Sequence, residues 1–224
     1  MHRAEQLDNL YIFKNTEGTP ENIRKFHPNI IVSSTGSAPL LPPIAGLKDR
    51  IDNENHNIYS ILGMISHIND FPKDLEGKKV VVVGGGAVGL DVVEFFADRN
   101  ADISIVEMMD QIGRDLDPVS KNDTKTMMKK HNVHQLTKTA LLEVKDSSFL
   151  VRGDGEPYEL PFEYGFVCLG MRAQGQLYQN LTEEFSSEDV EIMNIGDSQR
   201  ARRIIDGTQE GRNILTILEQ KGYF

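Results

Sequence analysis

The sequence predicts an α/β fold built on a parallel sheet, and three observations carry that prediction. Valine fills positions 80–83, a run suited to a strand covered on both faces. A glycine-rich turn, 84–89, follows at once and opens a stretch with helical apolar spacing. A second apolar strand comes next, so strand, helix and strand alternate.

The elements follow in order. "NLYIFKN" (9–15) reads as a short strand. "TPENIRKFHP" (19–28) reads as a helix: Thr19 caps it, Pro20 suits the first helical position and Pro28 stops it. "NIIVSSTG" (29–36) is a buried strand ending at glycine. "SAPLLPPIAG" (37–46) is too rich in proline for a helix or a central strand and reads as a stiff connector. "YSILGMISHI" (59–68) reads as a helix with Ile61, Leu62, Ile65 and Ile68 on one side.

The strand 79–83 leads through the glycine turn into a helix. Asp91, Glu94 and Asp98 share one of its faces, and Val92, Val93, Phe96 and Ala97 the other. "DISIVE" (102–107) is the next strand. Residues 117–131 form a capped helix, with Asp117 at the cap, Pro118 at the first position and Lys129, Lys130 and His131 at the C-terminal dipole end. The period then turns strand-like: "ALLEVKD", "SFLVRG" and "YELPFE" are short strands of a β-meander near 139–163, and "GDGE" (153–156) is a hairpin signal. "GFVCLG" (165–170) is another buried strand, "VEIMNIGD" (190–197) ends one more, and 202–220 is a closing helix.

Composition narrows the function. The chain has 224 residues, of which 39 % are hydrophobic, enough for one large or two small packed cores. A net charge of −10 and a pI near 5.1 argue against non-specific binding of nucleic acid or an anionic membrane. Met1, His2 and Arg3 run into polar residues without the apolar stretch of a signal peptide. No apolar run approaches the roughly 18 residues that span a bilayer. The one cysteine, Cys168, excludes an internal disulfide, a CxxC redox pair, and cysteine-only zinc or iron–sulfur sites. The expected location is a reducing cytoplasm.

Gly84, Gly86 and Gly89 fit G-x-G-x-x-G. The first glycine allows the tight turn, the second a close approach of a pyrophosphate, and the third close packing of helix on strand. The phosphates would lie at the helix N-terminus, along Gly84, Gly85, Gly86, Ala87, Val88 and Gly89. Glycine-rich turns also serve packing alone, so the discriminating feature is an acid closing the next strand, roughly 20 residues on. Glu107 is that residue, followed by Met108. The order of strand, turn, helix, strand and acid makes the domain Rossmann-like and NAD-binding. Glu107 accepts hydrogen bonds from ribose hydroxyls and repels the 2′-phosphate of NADP. At ~4–5 Å and an effective dielectric near 20 the repulsion is about 3–4 kcal/mol per unit charge before screening. Met108, Met109 and Asp110 supply no arginine to offset it. The bland alternative for Glu107 is a solvated strand end. A P-loop is excluded, because no Lys-Ser or Lys-Thr follows the glycines.

With these motifs in place the chain resembles the two-dinucleotide-binding-domain flavoprotein reductases. The likeness is strongest to the reductase half of enoate reductases and dienoyl-CoA reductases, the NADH:flavin oxidoreductases related to old yellow enzyme. "NTEGTPENIRKFHPNIIVSSTGSAPLLPPIAG" is similar to that family's stretch into its ATG motif, here Ser34-Thr35-Gly36, with serine for alanine. "IGDSQRARRIIDGTQEG" is similar to its last GD motif, Gly196-Asp197, and the closing helix. The resemblance implies an NAD(H) domain, 51–171, inserted between two parts of a FAD-binding-like domain, 1–50 and 172–224. It implies that Asp91 lies near the nicotinamide end and that Gly170 lets the nicotinamide side approach. It places Thr35 and Gly36 near FAD, and Asp197 beside Gly196 on its ribityl chain. The family's FAD domain opens on its own G-x-G-x-x-G, and its enoate-reducing members carry an FMN barrel and an iron–sulfur cysteine cluster. This sequence holds one glycine motif and one cysteine, so a fragment with an incomplete FAD site is expected.

The expected function is the NAD(H)-binding portion of a flavin-dependent NADH oxidoreductase, delivering hydride to flavin, with a flavin-binding domain or subunit as partner. The competing readings are a non-catalytic NAD-binding or interaction module and a purely structural fragment. Cys168, between Val167 and Leu169, reads as a buried inert thiol. His131 and His134 straddle a helix end and make no metal pair, so no metal is expected. "KKH" and "RARR" read as solvated basic runs, with proximity of "RARR" to a flavin or phosphate as the minor reading.

Overall fold

The computed structural model describes residues 6–223; Met1, His2 and Arg3, read above for a targeting segment, lie outside that range. In chain order the first elements are α1 (Pro20–Arg24), β1 (Ile30–Ser33), β2 (Ser37–Pro39), α2 (Leu47–Arg50), β3 (Ile58–Tyr59) and α3 (Ile61–Ser66). The middle of the chain forms β4 (Lys79–Val83), α4 (Ala87–Ala97), β5 (Asp102–Val106), α5 (Pro118–Lys130) and β6 (His134–Leu136). Then come β7 (Ala140–Val144), β8 (Ser148–Arg152), β9 (Tyr158–Pro161), β10 (Tyr164–Val167) and β11 (Met171–Ala173). The chain closes with α6 (Gln176–Glu184), β12 (Glu191–Asn194), a 3-10 turn at Gly196–Ser198 and α7 (Ile204–Gln220). Two compact units result, one formed by the residues through Ser37 with those from Ala173 on, the other by Ala38–Arg172.

The larger unit is a Rossmann-like α/β domain on a five-stranded parallel sheet in the order β3-β10-β4-β5-β6. The valine run lies at its centre and explains its layers. Val80 and Val82 face Val92, Val93 and Phe96 of α4. Val81 and Val83 face the other way, into a core with Phe149 and Val151 of the meander. The antiparallel sheet β7-β8-β9 therefore covers the face opposite α4 and carries the chain from β6 to β10. Asp91, Glu94 and Asp98 are exposed on the outer face of α4, as their spacing requires.

Three expectations are corrected here. Residues 9–15 form no strand. Tyr11, Ile12 and Phe13 are exposed, and among the described residues no neighbouring strand gives their backbone a ladder to join. In 59–68 the helix exists but the expected apolar face is split: Gly63 and Met64 are buried and Ile61 packs against the core, while Leu62, Ile65 and Ile68 are exposed. The cause is Asp52, whose carboxylate accepts from the Ser60 N–H at 2.8 Å and the Ser60 hydroxyl at 2.6 Å. A Cβ on Gly63 would stand 1.8 Å from that same carboxylate, so the capping contact sets which side of α3 faces in. Finally, residues 38–50 fold with the larger unit. Leu47 is fully buried beside Ile51 and Val144, and the Val144 N–H donates to the Ala45 carbonyl at 2.8 Å. The connector also contains the short strand β2, paired with β11.

The smaller unit holds β1 and β12 as a parallel pair, with Ser33 opposite Asn194. Ile31 packs with Leu181 and Phe185, and with Ile23, Leu177, Val190 and Ile192 around them. Helix α6 is not among the elements expected from the sequence; Leu177, Leu181 and Phe185, four residues apart, are its one apolar signal. Arg24 pairs with Glu184 and Glu188 and lies over the Phe185 ring, 4.6 Å from its centroid.

Candidate functional site

The glycine turn joins β4 to α4, and its three glycines answer to different demands. Gly84 has φ +108°, and a Cβ there would stand 2.1 Å from the Cys168 carbonyl oxygen. A Cβ on Gly89 would stand 1.9 Å from the Gly84 carbonyl oxygen. Packing alone therefore requires both. Gly86 is different: its backbone is extended at φ −78°, ψ −179°, and a Cβ there would meet no atom of the described residues within 4 Å. It is the N-cap of α4 and makes no side-chain cap, so the N–H groups of the first turn point outward with no capping side chain. This is a cradle with room for an anionic ligand.

Glu107 stands just beyond β5, and both its oxygens are engaged. The Gly85 N–H donates to Oε2 at 2.6 Å and the Met109 N–H to Oε1 at 2.7 Å. Its own backbone is held by the Leu136 carbonyl and the Thr139 N–H, each at 2.9 Å. The carboxylate is thus tied to the glycine turn before any ligand arrives, with lone pairs left for further donors.

A cavity of about 590 Å³ opens over the turn. It brings together Gly84, Gly86, Ala87, Val88, Glu107, Met108 and Gly170 from the sequence-predicted set. Gly170 has φ +104° and open space where a Cβ would lie. The sequence reading missed two walls of this cavity, Leu40, Pro42 and Ile44 of the connector and Thr139–Leu141 entering the meander. Gly85 lines a second cavity of about 330 Å³, with Gly86, Glu107, Met109, Gln111, Arg114 and Asp115. Gly89 is buried in the helix–strand contact. Asp91 lines neither; it borders a third cavity, between α4 and α5, with Glu94 and Asp123. Partial desolvation, then the Glu94 charge, raises its pKa. Cys168 is 8 % exposed, and burial, then the charge of Asp91, pushes its thiol up to about 12. It stays protonated at neutral pH.

In the smaller unit, Thr35 and Gly36 leave β1 beside Gly196 and Asp197, which leave β12. Gly36 and Gly196 have φ +75° and +67°, and among the described residues no atom lies within 4 Å of either Cβ position. The Thr35 hydroxyl donates to the Gln174 carbonyl. Asp197 accepts from the Ser37 hydroxyl at 3.2 Å and the Arg202 N–H at 3.1 Å. The Gly196 N–H donates to Glu210 at 2.6 Å, and Arg202 pairs with the same carboxylate. These contacts, the Gly196 N–H first, hold Glu210 below the usual carboxylate range. The hydroxyl of Ser33 is buried without a partner among the described residues. Strand ends with two bare glycines and an orphan hydroxyl suit a ligand at the carboxyl edge of a parallel pair.

Among the described residues no group of three or more His, Cys, Asp or Glu could hold a metal ion, and His134 lies 3.3 Å from Asp102. No described helix is long and apolar enough to cross a membrane.

Comparison with known proteins assigns the chain to a family. The chain is 26 % identical to an NADH oxidase of Thermoanaerobacter brockii over 85 % of its length and 28 % of the relative's. It is 26 % identical to a metal reductase of Desulforamulus reducens over 88 % of its length and 32 % of the relative's. It therefore spans about a third or less of these relatives. A 2-naphthoyl-CoA reductase structure shares the fold with a TM-score of 0.72 at 22 % identity, covering 88 % of this chain and 28 % of that one. The model of the family described as pyridine nucleotide-disulphide oxidoreductase matches residues 8–193. The chain belongs to that family, whose members are flavoprotein oxidoreductases dependent on NAD(P)H and FAD.

Proposed function

We propose that the larger unit binds NAD(H), as the nucleotide-binding portion of a flavin-dependent NADH oxidoreductase of the enoate reductase and dienoyl-CoA reductase type. Gly86 carries this reading. No described residue requires a glycine there, so its bareness is explained by a ligand that lies against the backbone. The N–H groups at the start of α4 would hold the diphosphate. Glu107, pinned by Gly85 and Met109, would accept from the adenosine ribose. Gly170 would leave room for the nicotinamide, and Asp91 would act from the flank of α4. In the smaller unit, Thr35, Gly36, Gly196 and Asp197 would face FAD, which makes that unit part of a FAD-binding domain. The chemistry that nicotinamide and flavin supply when bound is hydride transfer; the residues named here orient the groups. The more specific type rests on Ser34-Thr35-Gly36 and Gly196-Asp197 with the closing helix behind them.

The test is titration of the full chain with NADH, read by nucleotide fluorescence, alongside Gly86→Val. Binding by the wild type and its loss in the variant are expected. A wild type that binds no NADH overturns the reading. Reduction of a soluble dye by NADH, with and without added FAD, then separates a reductase from a nucleotide-binding module: the module binds NADH but leaves the dye unreduced.

A further inference from the structure

We propose that Met108 is a site of oxidation by hydrogen peroxide, and that its sulfoxide weakens nucleotide binding in the cavity beside it. This rests on the nucleotide reading of the larger unit. Met64 and Met128 are buried, and Met127, Met171 and Met193 are half-buried. Among the described methionines only Met108 and Met109 are exposed, at 69 % and 40 %. Both follow Glu107 directly, and Met108 borders the cavity of about 590 Å³ with Val106, Glu107 and Leu141. The most accessible thioether among the described residues therefore stands on the rim of the site.

The backbone fixes it there. On one side Glu107 is held by the Leu136 carbonyl and the Thr139 N–H. On the other, the Met109 N–H donates to Glu107 at 2.7 Å and the Met109 carbonyl accepts from the Lys138 N–H at 2.9 Å. These bonds keep the loop from carrying a modified side chain away. Cys168 borders the same cavity, but it is 8 % exposed and its thiol stays protonated at neutral pH. It lacks the thiolate that reacts with peroxide, so the thioether is the oxidisable sulfur.

In the reaction a sulfur lone pair attacks one peroxide oxygen, and the S–O bond forms as the O–O bond breaks. The proton of the transferred oxygen passes to the departing hydroxide, which leaves as water. Sulfur loses two electrons and peroxide gains them. A flexible apolar side chain becomes a polar acceptor, next to a carboxylate that already accepts from the Gly85 and Met109 N–H groups. That acceptor loses water without gaining a donor when a nucleotide covers it. By the same linkage, bound nucleotide shields Met108 and slows its oxidation.

The experiment treats the full chain and Met108→Leu with hydrogen peroxide, locates sulfoxide by tandem mass spectrometry, and titrates each protein with NADH before and after. Sulfoxide should form at Met108 ahead of the buried Met64 and Met128, and more slowly under saturating NADH. Treatment should weaken NADH binding by the wild type about fivefold and leave Met108→Leu within about twofold of its own untreated affinity. A methionine sulfoxide reductase with dithiothreitol should restore the wild type, and dithiothreitol alone should not. Equal losses in the two proteins, restoration by dithiothreitol alone, or a Met108 sulfoxide that leaves NADH affinity unchanged overturns the proposal. An untreated wild type that binds no NADH overturns the nucleotide reading and the proposal with it.

Discussion

A Cβ on Gly89 would stand 1.9 Å from the carbonyl oxygen of Gly84. The first turn of α4 lies so close to the end of β4 that a methyl group has no place. Three residues earlier, at Gly86, the same methyl group would point into open space. One glycine motif thus contains a residue held by the fold and a residue left for a ligand.

Gly89→Ala should therefore destabilise the protein by about 1–3 kcal/mol, the usual cost of overpacking. Gly86→Val should leave stability near wild type and remove NADH binding. Urea midpoints and a nucleotide titration on both variants check this. Normal NADH affinity in a folded Gly86→Val protein would show that the turn is not the site.

Glu107→Ala should shift the ratio of NADPH to NADH affinity toward NADPH, because a repulsive charge leaves the ribose. It should also loosen the turn, since the Gly85 and Met109 N–H groups lose their acceptor. An unsatisfied group of this kind costs about 1–3 kcal/mol when buried and less where water reaches it. Paired titrations and a thermal melt measure the two effects separately.

Phe96 is fully buried, with its ring centroid 4.8 Å from that of Phe166 and 5.2 Å from that of Phe71. Phe96→Ala should cost about 3–5 kcal/mol, since the surrounding rings cannot collapse into the space. Chemical denaturation of the variant tests it; a cost below about 1 kcal/mol would mean the core between α4 and the sheet is loosely packed.

Glu210 supplies a pH dependence. Its folded pKa lies below the ordinary 4.5, through the Gly196 N–H first and Arg202 second. Its contribution to stability is therefore complete above 4.5 and fades as pH falls through the lower folded value. Glu210→Gln should melt below wild type at pH 7, and the two curves should converge on acidification. A gap that persists at low pH would assign the effect to packing rather than charge.

Several elements needed no tertiary information. The cap at Asp117, the proline after it and the lysines at the far end bound α5 by local hydrogen bonding and dipole chemistry. Leu62 and Ile65 lie at the other extreme. Their spacing is helical and apolar, yet Asp52 and Gly63 decide which side of α3 is buried. Tyr11, Ile12 and Phe13 have strand-like composition without a strand to pair with among the described residues. Arg114 borders the cavity at the turn although seven residues separate it from Glu107 along the chain, because one hydrogen bond from Gly113 to Gly85 brings its loop there.

The sequence by itself determined the valine strand, the glycine turn, the helix behind it and the acid closing the next strand. Each depends on backbone geometry or side-chain period within a few residues, which composition and spacing express directly. Only the tertiary structure decided that Gly84 and Gly89 serve packing while Gly86 is free, that Glu107 is pinned from both sides, and that the connector and the meander complete the cavity walls. Those are contacts between residues far apart in sequence, and their distances exist only once the sheet, the helix and the meander have closed around one another.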